Sequence, residues 1–371
     1  MDAAAWQLAK QLIEQALSRP ATERRAFLDS ACRDPDLRRE IEAMLESSDQ
    51  QLPIDETRLQ SEHSASSAAA SSLWDEFEFA PGFEAGPYVL VEPLGRGGGG
   101  EVHRARDARL QREVAIKILE PRSAAEGVRR VREARAAAQL NHRGIAAVYD
   151  VVVIAGRPCI VMEHVPGPSL AERLERGRLE ITEAIDIGIQ IADAAAHAHA
   201  SRIVHCDLKP ANVKFAADGS VKVLDFGLAR RSAGSPPRSS SNAVTGLTAA
   251  SLEGLPIGTP GYMSPEQLLG LQVDIRTDVY SLGVMLFEMA VGERPFGGAE
   301  ALSTAVAVLS APIPELPRRV PRRLRAVVQK SLSRAPEDRY ESAAVLRDAL
   351  ASVRLSAWRE LFESIFGRVR T

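Results

Sequence analysis

The chain has 371 residues, of which 45% are hydrophobic, which is enough for a buried core and for about two domains. Its 46 basic and 49 acidic residues give a formal net charge of −3, which argues against a generic nucleic-acid-binding protein. The three cysteines, Cys32, Cys159 and Cys206, are few and far apart, so they predict neither a disulfide framework nor a zinc site and fit a reducing cytoplasm.

The N-terminal part predicts a small module and a linker. The first residues lack the basic and apolar regions of a signal peptide, and no apolar run is long enough to cross a membrane, so we expect a cytoplasmic chain without a transmembrane segment. Residues 1–50 have helical periodicity and predict a helical module whose partner the sequence does not name. Residues 51–86 are rich in Ser, Ala and Pro and predict a flexible linker. Its acidic aromatic run at residues 74–79 is either a docking strip or an anchor on the next domain.

A glycine-rich loop follows the strand-like run at Tyr88. Gly95, Gly97 and Gly100 lie between two apolar stretches, where two antiparallel strands would turn. Without side chains at these positions, backbone N–H groups can approach phosphate oxygens closely. A dinucleotide-binding fingerprint would continue into a helix, whereas a lysine-bearing strand follows here. The loop therefore predicts a phosphate cover of a different kind.

The lysine-bearing strand spans residues 114–119 and alternates as a half-buried strand should. Lys117 is its embedded charge; a lone lysine in a strand usually points to solvent. A helical segment with Glu126 and Glu133 comes next, and Gly127 interrupts the helical pattern beside Glu126. A second apolar strand, residues 160–165, follows.

Two short motifs complete an ordered series. His205-Cys206-Asp207-Leu208-Lys209-Pro210-Ala211-Asn212 precedes Asp225-Phe226-Gly227, and both come after the glycine loop and Lys117. In this order and spacing the motifs resemble the protein kinase superfamily, and within it the bacterial eukaryotic-like, or Hanks-type, serine/threonine kinases. The resemblance implies an α+β, bilobal fold with a β-rich N-lobe and an α-rich C-lobe. We expect the kinase domain at residues 87–352, after the small helical N-terminal module.

The end of the chain predicts an amphipathic helix at residues 353–371. Apolar residues recur there at helical spacing, beginning with Leu355 and Trp358. Packing against the kinase body or a partner is the favoured interpretation, and a membrane-surface helix is the alternative.

The resemblance assigns a nucleotide site to the N-lobe and the hinge between lobes. Lys117 would contact the α- and β-phosphates while paired with a helix glutamate, Glu133 first and Glu126 as the fallback. The stem of Lys214 would form part of the floor of the adenine pocket. The predicted ATP-binding residues are Leu94, Gly95, Arg96, Gly97, Gly98, Gly99, Gly100, Val102, Ala115, Lys117, Glu133, Met162, Glu163 and Val165.

The chemistry is assigned to the two short motifs. Asp207 would orient the substrate hydroxyl or accept its proton, and Lys209 would stabilise the transferring phosphoryl group. Lys117 is the third predicted catalytic residue, through its contact with the α- and β-phosphates. Asn212 and Asp225 would hold Mg²⁺, with Mn²⁺ as a possible substitute. Lys209 followed by Pro210 resembles serine/threonine kinases rather than tyrosine kinases.

A long activation segment, residues 225–266, is rich in Ser, Thr and Gly. By resemblance, Thr245 and Thr248 are the predicted autophosphorylation sites. Cys206 replaces the arginine that grips a phosphorylated loop residue in many relatives, and a neutral thiol cannot make that bidentate contact. We therefore expect loop phosphorylation to control this chain less tightly than its arginine-bearing relatives.

Structural supports are also assigned by resemblance. Thr259 would bond to Asp207 and Lys209. Glu266 would form an ion pair with the distant Arg339. Asp278 would brace the catalytic loop.

The sequence thus predicts a non-specific serine/threonine protein kinase that uses ATP and Mg²⁺, phosphorylates proteins in bacterial signalling and binds no nucleic acid. A nucleotide-binding pseudokinase scaffold is the alternative, and retention of Lys117, Asp207, Asn212 and Asp225 argues against it. A small-molecule phosphotransferase is disfavoured by residues 258–266, which resemble a peptide-positioning loop.

Overall fold

A computed structural model describes residues 79–97, 100–120, 124–154, 157–226, 230–231, 260–297 and 301–366. For residues 97, 124–126, 230–231 and 356–366 only the backbone is described. Several predictions lie outside the described residues: the module at 1–50, most of the linker, and Gly98, Gly99, Gly227, Thr245, Thr248 and Thr259.

The N-lobe is an antiparallel sheet of six strands in the order β1-β2-β3-β4-β6-β5, with helix α1 on one face. Consecutive strands pair from β1 to β4, and β6 lies between β4 and β5. The elements are β1 Glu84–Ala85, β2 Tyr88–Gly97, β3 Gly100–Asp107, β4 Arg112–Leu119, α1 Ala124–Ala137, β5 Val148–Ile154 and β6 Arg157–Glu163.

Strand alternation in β4 separates two groups of side chains. Ile116 and Ile118 point into a core with Tyr88, Leu90 and other buried residues of the sheet. Ala115, Lys117 and Leu119 share the other face, because successive side chains of a strand point to opposite sides. That second face packs against α1. Lys117 is therefore placed on the side of the sheet that also carries the helix predicted to supply its partner.

The C-lobe is mainly helical and contains the larger hydrophobic core. Helix α5 is buried over most of its length, so it acts as the central element around which the other helices pack. The β8–β9 hairpin and the pair β7–β10 supply its small sheets. Its elements are α2 Leu170–Leu174, α3 Ile181–Ala200, β7 Ile203–Val204, β8 Val213–Phe215, β9 Val221–Val223, β10 Arg230–Arg231, α4 Pro265–Leu268, α5 Arg276–Val291, α6 Ala301–Ser310, α7 Arg322–Ser331 and α8 Ala343–Phe366.

The structure describes the chain at both predicted edges of the kinase domain. Phe79 is only 6% exposed and packs edge-on against Phe83, with ring centroids 5.5 Å apart, so the end of the predicted linker belongs to the N-lobe core. This contact agrees with the anchor interpretation of the last aromatic residue. At the other end, α8 runs without a break through the boundary predicted after residue 352. Among the described residues, no helix combines the length and the apolar character needed to cross a membrane.

Candidate active site

The catalytic loop between β7 and β8 brings three predicted residues together. Asp207 Oδ2 lies 2.8 Å from Lys209 Nζ and 3.1 Å from Asn212 Nδ2. Asn212 Nδ2 also donates to the Asp207 backbone carbonyl at 2.8 Å. These bonds form because the loop turns back on itself into a short 3₁₀-helix at Pro210–Asn212. One carboxylate is thus surrounded by two donors and remains partly exposed.

The loop backbone is held in a strained conformation just before Asp207. Cys206 has φ +64°, in the left-handed region that costs a residue with a side chain about 1–3 kcal/mol. Asp278 of α5 accepts from the backbone N–H of His205 at 2.8 Å and of Cys206 at 2.9 Å. The structure therefore places Asp278 where the sequence assigned a brace for this loop.

His205 connects the catalytic loop to the residues before Asp225. The imidazole is fully buried; its Nε2 donates to the Leu224 carbonyl at 2.8 Å, and its Nδ1 accepts from the Asp207 N–H at 3.2 Å. This pattern requires the neutral tautomer with the proton on Nε2. The ring also contacts Phe226, with centroids 4.6 Å apart. Positions of Asp207 and Asp225 are thereby linked through a single side chain.

His199 is a support that the sequence analysis missed. Its Nε2 lies 2.8 Å from Asp278 Oδ2, and both side chains are almost completely buried. Burial alone would raise the pKa of Asp278, but the hydrogen bond and charge of His199 outweigh it, and the pKa lies below its usual range. The sequence signal was a histidine near the C-terminus of the apolar helix α3, which usually means only a satisfied core residue.

Lys117 forms an ion pair with Asp225, with Nζ 2.8 Å from Oδ2. Glu133, the helix glutamate that the resemblance assigns to Lys117, lies in α1 with a carboxylate oxygen 3.8 Å from Arg129 Nε. Burial would raise the pKa of Asp225, but the charge and hydrogen bond of Lys117 hold it below its usual range, so Asp225 is ionised at neutral pH.

The donor set at Asn212 and Asp225 fits a magnesium ion. Both hydrogen bonds donated by Asn212 Nδ2 go to Asp207. The side-chain oxygen Oδ1 is therefore the atom with which Asn212 would ligate a cation. Asp225 supplies an ionised carboxylate. Mg²⁺ prefers such oxygen ligands and completes its octahedron with phosphates and water. The described residues contain no group of three His, Cys, Asp or Glu side chains that would form an all-protein metal cage.

Of the two loop glycines whose surroundings the structure describes, Gly95 and Gly100, only Gly100 must be glycine. Gly100 has φ +123°, and a Cβ there would lie 1.9 Å from the Ile118 carbonyl oxygen. Nothing lies within 4 Å of a Cβ placed at Gly95. Leu94 and Arg96 are exposed, and the guanidinium of Arg96 is 3.1 Å from Glu101. The start of β3 therefore requires glycine at position 100.

The predicted adenine pocket is lined by apolar residues from β3, β4 and β6. Ala115 and Met162 are buried in one cluster, with Val102 packed against it. The Glu163 N–H donates to the Ala147 carbonyl at 2.8 Å, so the predicted adenine contact of Glu163 falls to its carbonyl.

The side chains around the hinge are also fixed. The Glu163 carboxylate is 2.8 Å from Lys222 Nζ, which ties the end of β6 to β9. Val165 is buried beside the hinge. Lys214 lies in β8, directly opposite Lys222 in the hairpin. Its backbone also forms an isolated antiparallel β-bridge with Ser169 at the start of α2.

The structure brings Glu266 and Arg339 together across 73 residues of sequence. The two terminal guanidinium nitrogens of Arg339 each lie 2.8 Å from one of the two Glu266 carboxylate oxygens. This bidentate pair is nearly completely buried. Burial would raise the pKa of Glu266, but the hydrogen bonds and charge of Arg339 hold it below its usual range. Thr277 adds a hydrogen bond at 2.7 Å. This pair fixes the segment that ends the activation loop onto the C-lobe.

With the geometry in view, the chain belongs to the protein kinase family: the family model for the protein kinase domain matches residues 88–350. Over 277 residues it is 42% identical to the serine/threonine-protein kinase PknB of Mycobacterium tuberculosis, covering 72% of this chain and 42% of PknB. PknB of Mycobacterium leprae is 43% identical over 277 residues, covering 72% of this chain and 43% of the relative.

A third relative is PknA, another serine/threonine-protein kinase of Mycobacterium tuberculosis. It is 38% identical over 278 residues, which cover 72% of this chain and 62% of PknA. The match therefore spans less than two thirds of the length of these curated relatives. The predicted bilobal fold and the resemblance to bacterial kinases of the Hanks type are confirmed.

Proposed function

We propose that this chain is a serine/threonine protein kinase that transfers the γ-phosphate of ATP to protein hydroxyl groups. The observation that carries the proposal is the arrangement of the catalytic loop, in which the Asp207 carboxylate lies 2.8 Å from Lys209 Nζ and 3.1 Å from Asn212 Nδ2. A kinase needs this combination of a carboxylate for the acceptor hydroxyl, a cation for the transferred group and a metal ligand.

Each residue has a role that follows from its chemistry. The Asp207 carboxylate accepts a hydrogen bond from the substrate hydroxyl and receives its proton as phosphoryl transfer proceeds. Lys209 donates to the phosphoryl oxygens as their charge becomes distributed, and Lys117 holds the α- and β-phosphates. Asn212 and Asp225 would hold Mg²⁺, which neutralises the phosphate charge when bound.

Specificity and regulation belong to the same proposal. Lys209 followed by Pro210, and the names of the curated relatives, support Ser and Thr as acceptors. Thr245 and Thr248 are proposed autophosphorylation sites. We place the reaction in the cytoplasm, where ATP is plentiful, within bacterial signalling. The N-terminal module, residues 1–50, is proposed to bind a partner whose nature is open.

The pseudokinase scaffold is the second candidate, and one assay separates the two. The full chain is incubated with γ-labelled ATP and Mg²⁺, alone and with a generic basic protein substrate, beside Asp207→Asn. Asp218→Asn is the matched control, because it makes the same change in an exposed turn. We expect label on Ser or Thr in the wild type and the control and none in Asp207→Asn. Nucleotide binding without transfer would support the scaffold instead.

A further inference from the structure

Gln267, in the first turn of α4, contacts two loops at once. Its Oε1 accepts from the Ser264 backbone N–H at 3.0 Å, and its own N–H donates to Ser264 Oγ at 3.4 Å. These two bonds form a capping box, which satisfies backbone donors at the start of a helix. The other end of the amide points away from the helix: Nε2 donates to the Cys206 carbonyl at 2.7 Å.

The Cys206 carbonyl and the Asp207 N–H belong to the same peptide unit. The N–H of the same peptide unit donates to His205 Nδ1 at 3.2 Å. Both polar groups of this unit are thus held by side chains, the carbonyl by Gln267 and the N–H by His205. Asp278 holds the preceding N–H, that of Cys206, at 2.9 Å. Because Cys206 is in the left-handed region, its conformation persists only while such contacts hold it.

Helix capping does not account for the Nε2 contact. A capping box needs only a side-chain oxygen at this position, and glutamate supplies it as well as glutamine does. The bond to Cys206 needs an N–H donor, which an ionised glutamate lacks. The two halves of the amide therefore serve different loops, and substitution can separate them.

We propose that Gln267 is a positioning residue for phosphoryl transfer. It holds the Cys206 carbonyl and thereby fixes Asp207 relative to residues 260–264, which precede α4. This inference rests on the proposed kinase function. In this role Gln267 contacts neither the nucleotide nor the substrate. Its effect is expected in the rate of transfer rather than in the binding of ATP, because a carboxylate displaced by a fraction of an ångström no longer meets the acceptor hydroxyl correctly.

The test compares Gln267→Glu with Gln190→Glu in the full chain. Gln190 is a matched control, because its side chain also accepts from a backbone N–H, that of Val221, and donates to a backbone carbonyl, that of Asp186. We expect Gln267→Glu to lower kcat about 10- to 100-fold at pH 7.5, with KM for ATP and the thermal midpoint unchanged. Gln190→Glu should leave kcat unchanged.

A pH series provides the readout that a purely structural role would not move. As the pH falls towards the ordinary glutamate pKa of about 4.3, a growing fraction of the new carboxyl is protonated, and its O–H can donate to the Cys206 carbonyl again. The ratio of kcat between Gln267→Glu and wild type should therefore rise as the pH falls from 8 towards 5.5. Hydrogen exchange of the peptide that contains Cys206 and Asp207 should be faster in Gln267→Glu at pH 7.5 and unchanged in Gln190→Glu.

The outcomes distinguish this inference from the function on which it rests. Wild-type chain that transfers no phosphate contradicts the proposed function. Wild-type transfer with kcat and loop exchange unaltered in Gln267→Glu overturns only the inference and leaves Gln267 as a helix cap. If Gln267→Glu were to lose its thermal stability, Gln267→Met would serve as the reference, since it removes the side-chain half of the capping box and the Cys206 bond together. Equal kcat losses in both variants with no pH recovery would also contradict the inference.

Discussion

The Lys117 ammonium lies 2.8 Å from the Asp225 carboxylate, so the predicted phosphate-binding lysine and the predicted metal ligand are partners of each other. Lys117 lowers the pKa of the Asp225 carboxyl and so keeps it ionised, and the contact holds both side chains in place. A cation bound by the Asp225 carboxylate and a phosphate bound by the Lys117 ammonium would each interact with one member of this ion pair. The two residues should therefore act as one unit in catalysis.

We predict that Lys117→Met and Asp225→Asn each reduce phosphate transfer at least about 100-fold, and that the double variant is no worse than either single one. Losses of residues that act together are strongly non-additive, because the first substitution already disables the unit. Steady-state transfer to a protein substrate measures this directly. Lys330→Met, which changes a lysine that lies over the Tyr340 ring in the C-lobe, is the control. Independent, additive losses would show that the observed ion pair has no catalytic significance.

The buried pair of Glu266 and Arg339 leads to a prediction about stability. We expect Arg339→Met to lower the free energy of unfolding by about 3–5 kcal/mol, since it leaves the Glu266 carboxylate buried without its cation. Arg347→Met is the matched control, because Arg347 makes a partly exposed ion pair with Asp193 that contributes about 1 kcal/mol or less. Thermal unfolding of both variants beside the wild type provides the comparison. Similar midpoints for the two variants would contradict the stabilising role of the buried pair.

The lowered pKa of Glu266 gives this contribution a pH dependence. The folded-state pKa lies below the unfolded value of about 4.3, so the stabilisation is fully present above that pH and is lost as the pH falls through the folded pKa. Glu266→Gln has no such titration. Its deficit in thermal midpoint relative to wild type should be largest near neutral pH and should shrink steadily below about pH 4. A deficit that stays constant down to pH 3 would show that the titration of Glu266 is not linked to folding.

The catalytic loop was the part of the site that the sequence could predict best. Asp207, Lys209 and Asn212 are so close in the chain that a single turn brings them together. The pair of Glu266 and Arg339 was accessible only through the family resemblance. The contact between Lys117 and Asp225 was not predicted, because it depends on how β4 and the residues around Asp225 are arranged in space.

Gln267 shows how a local signal can hide a distant contact. Ser264 followed three residues later by Gln267 is a visible capping pattern, and the structure contains that cap. The target of the Nε2 group, Cys206, is 61 residues away in sequence, and no periodicity or motif connects them. His199 is similar, since its contact with Asp278 spans 79 residues. Side chains that connect two loops are recognisable only once the fold has brought the loops together.

The last prediction concerns Cys206, whose thiol stands where many kinases have an arginine that grips a phosphorylated loop. We expect the double variant Thr245→Ala and Thr248→Ala to retain most of its activity, because Cys206 cannot make a bidentate contact with a phosphate. Cys206→Arg should create that dependence: its activity should fall at least about tenfold when the two threonines are also changed to alanine. The backbone conformation at φ +64° is about equally unfavourable for Cys and Arg, so the substitution adds little strain of its own.

Initial rates on a protein substrate, measured after phosphatase treatment and again after incubation with ATP and Mg²⁺, would test this. Cys206→Ser is the control, since serine also lacks a cation and should behave like the wild type. Loss of activity in the double threonine variant of the otherwise wild-type chain, with folding intact by thermal unfolding, would contradict the prediction. It would mean that another cation receives the phosphorylated loop in place of the missing arginine.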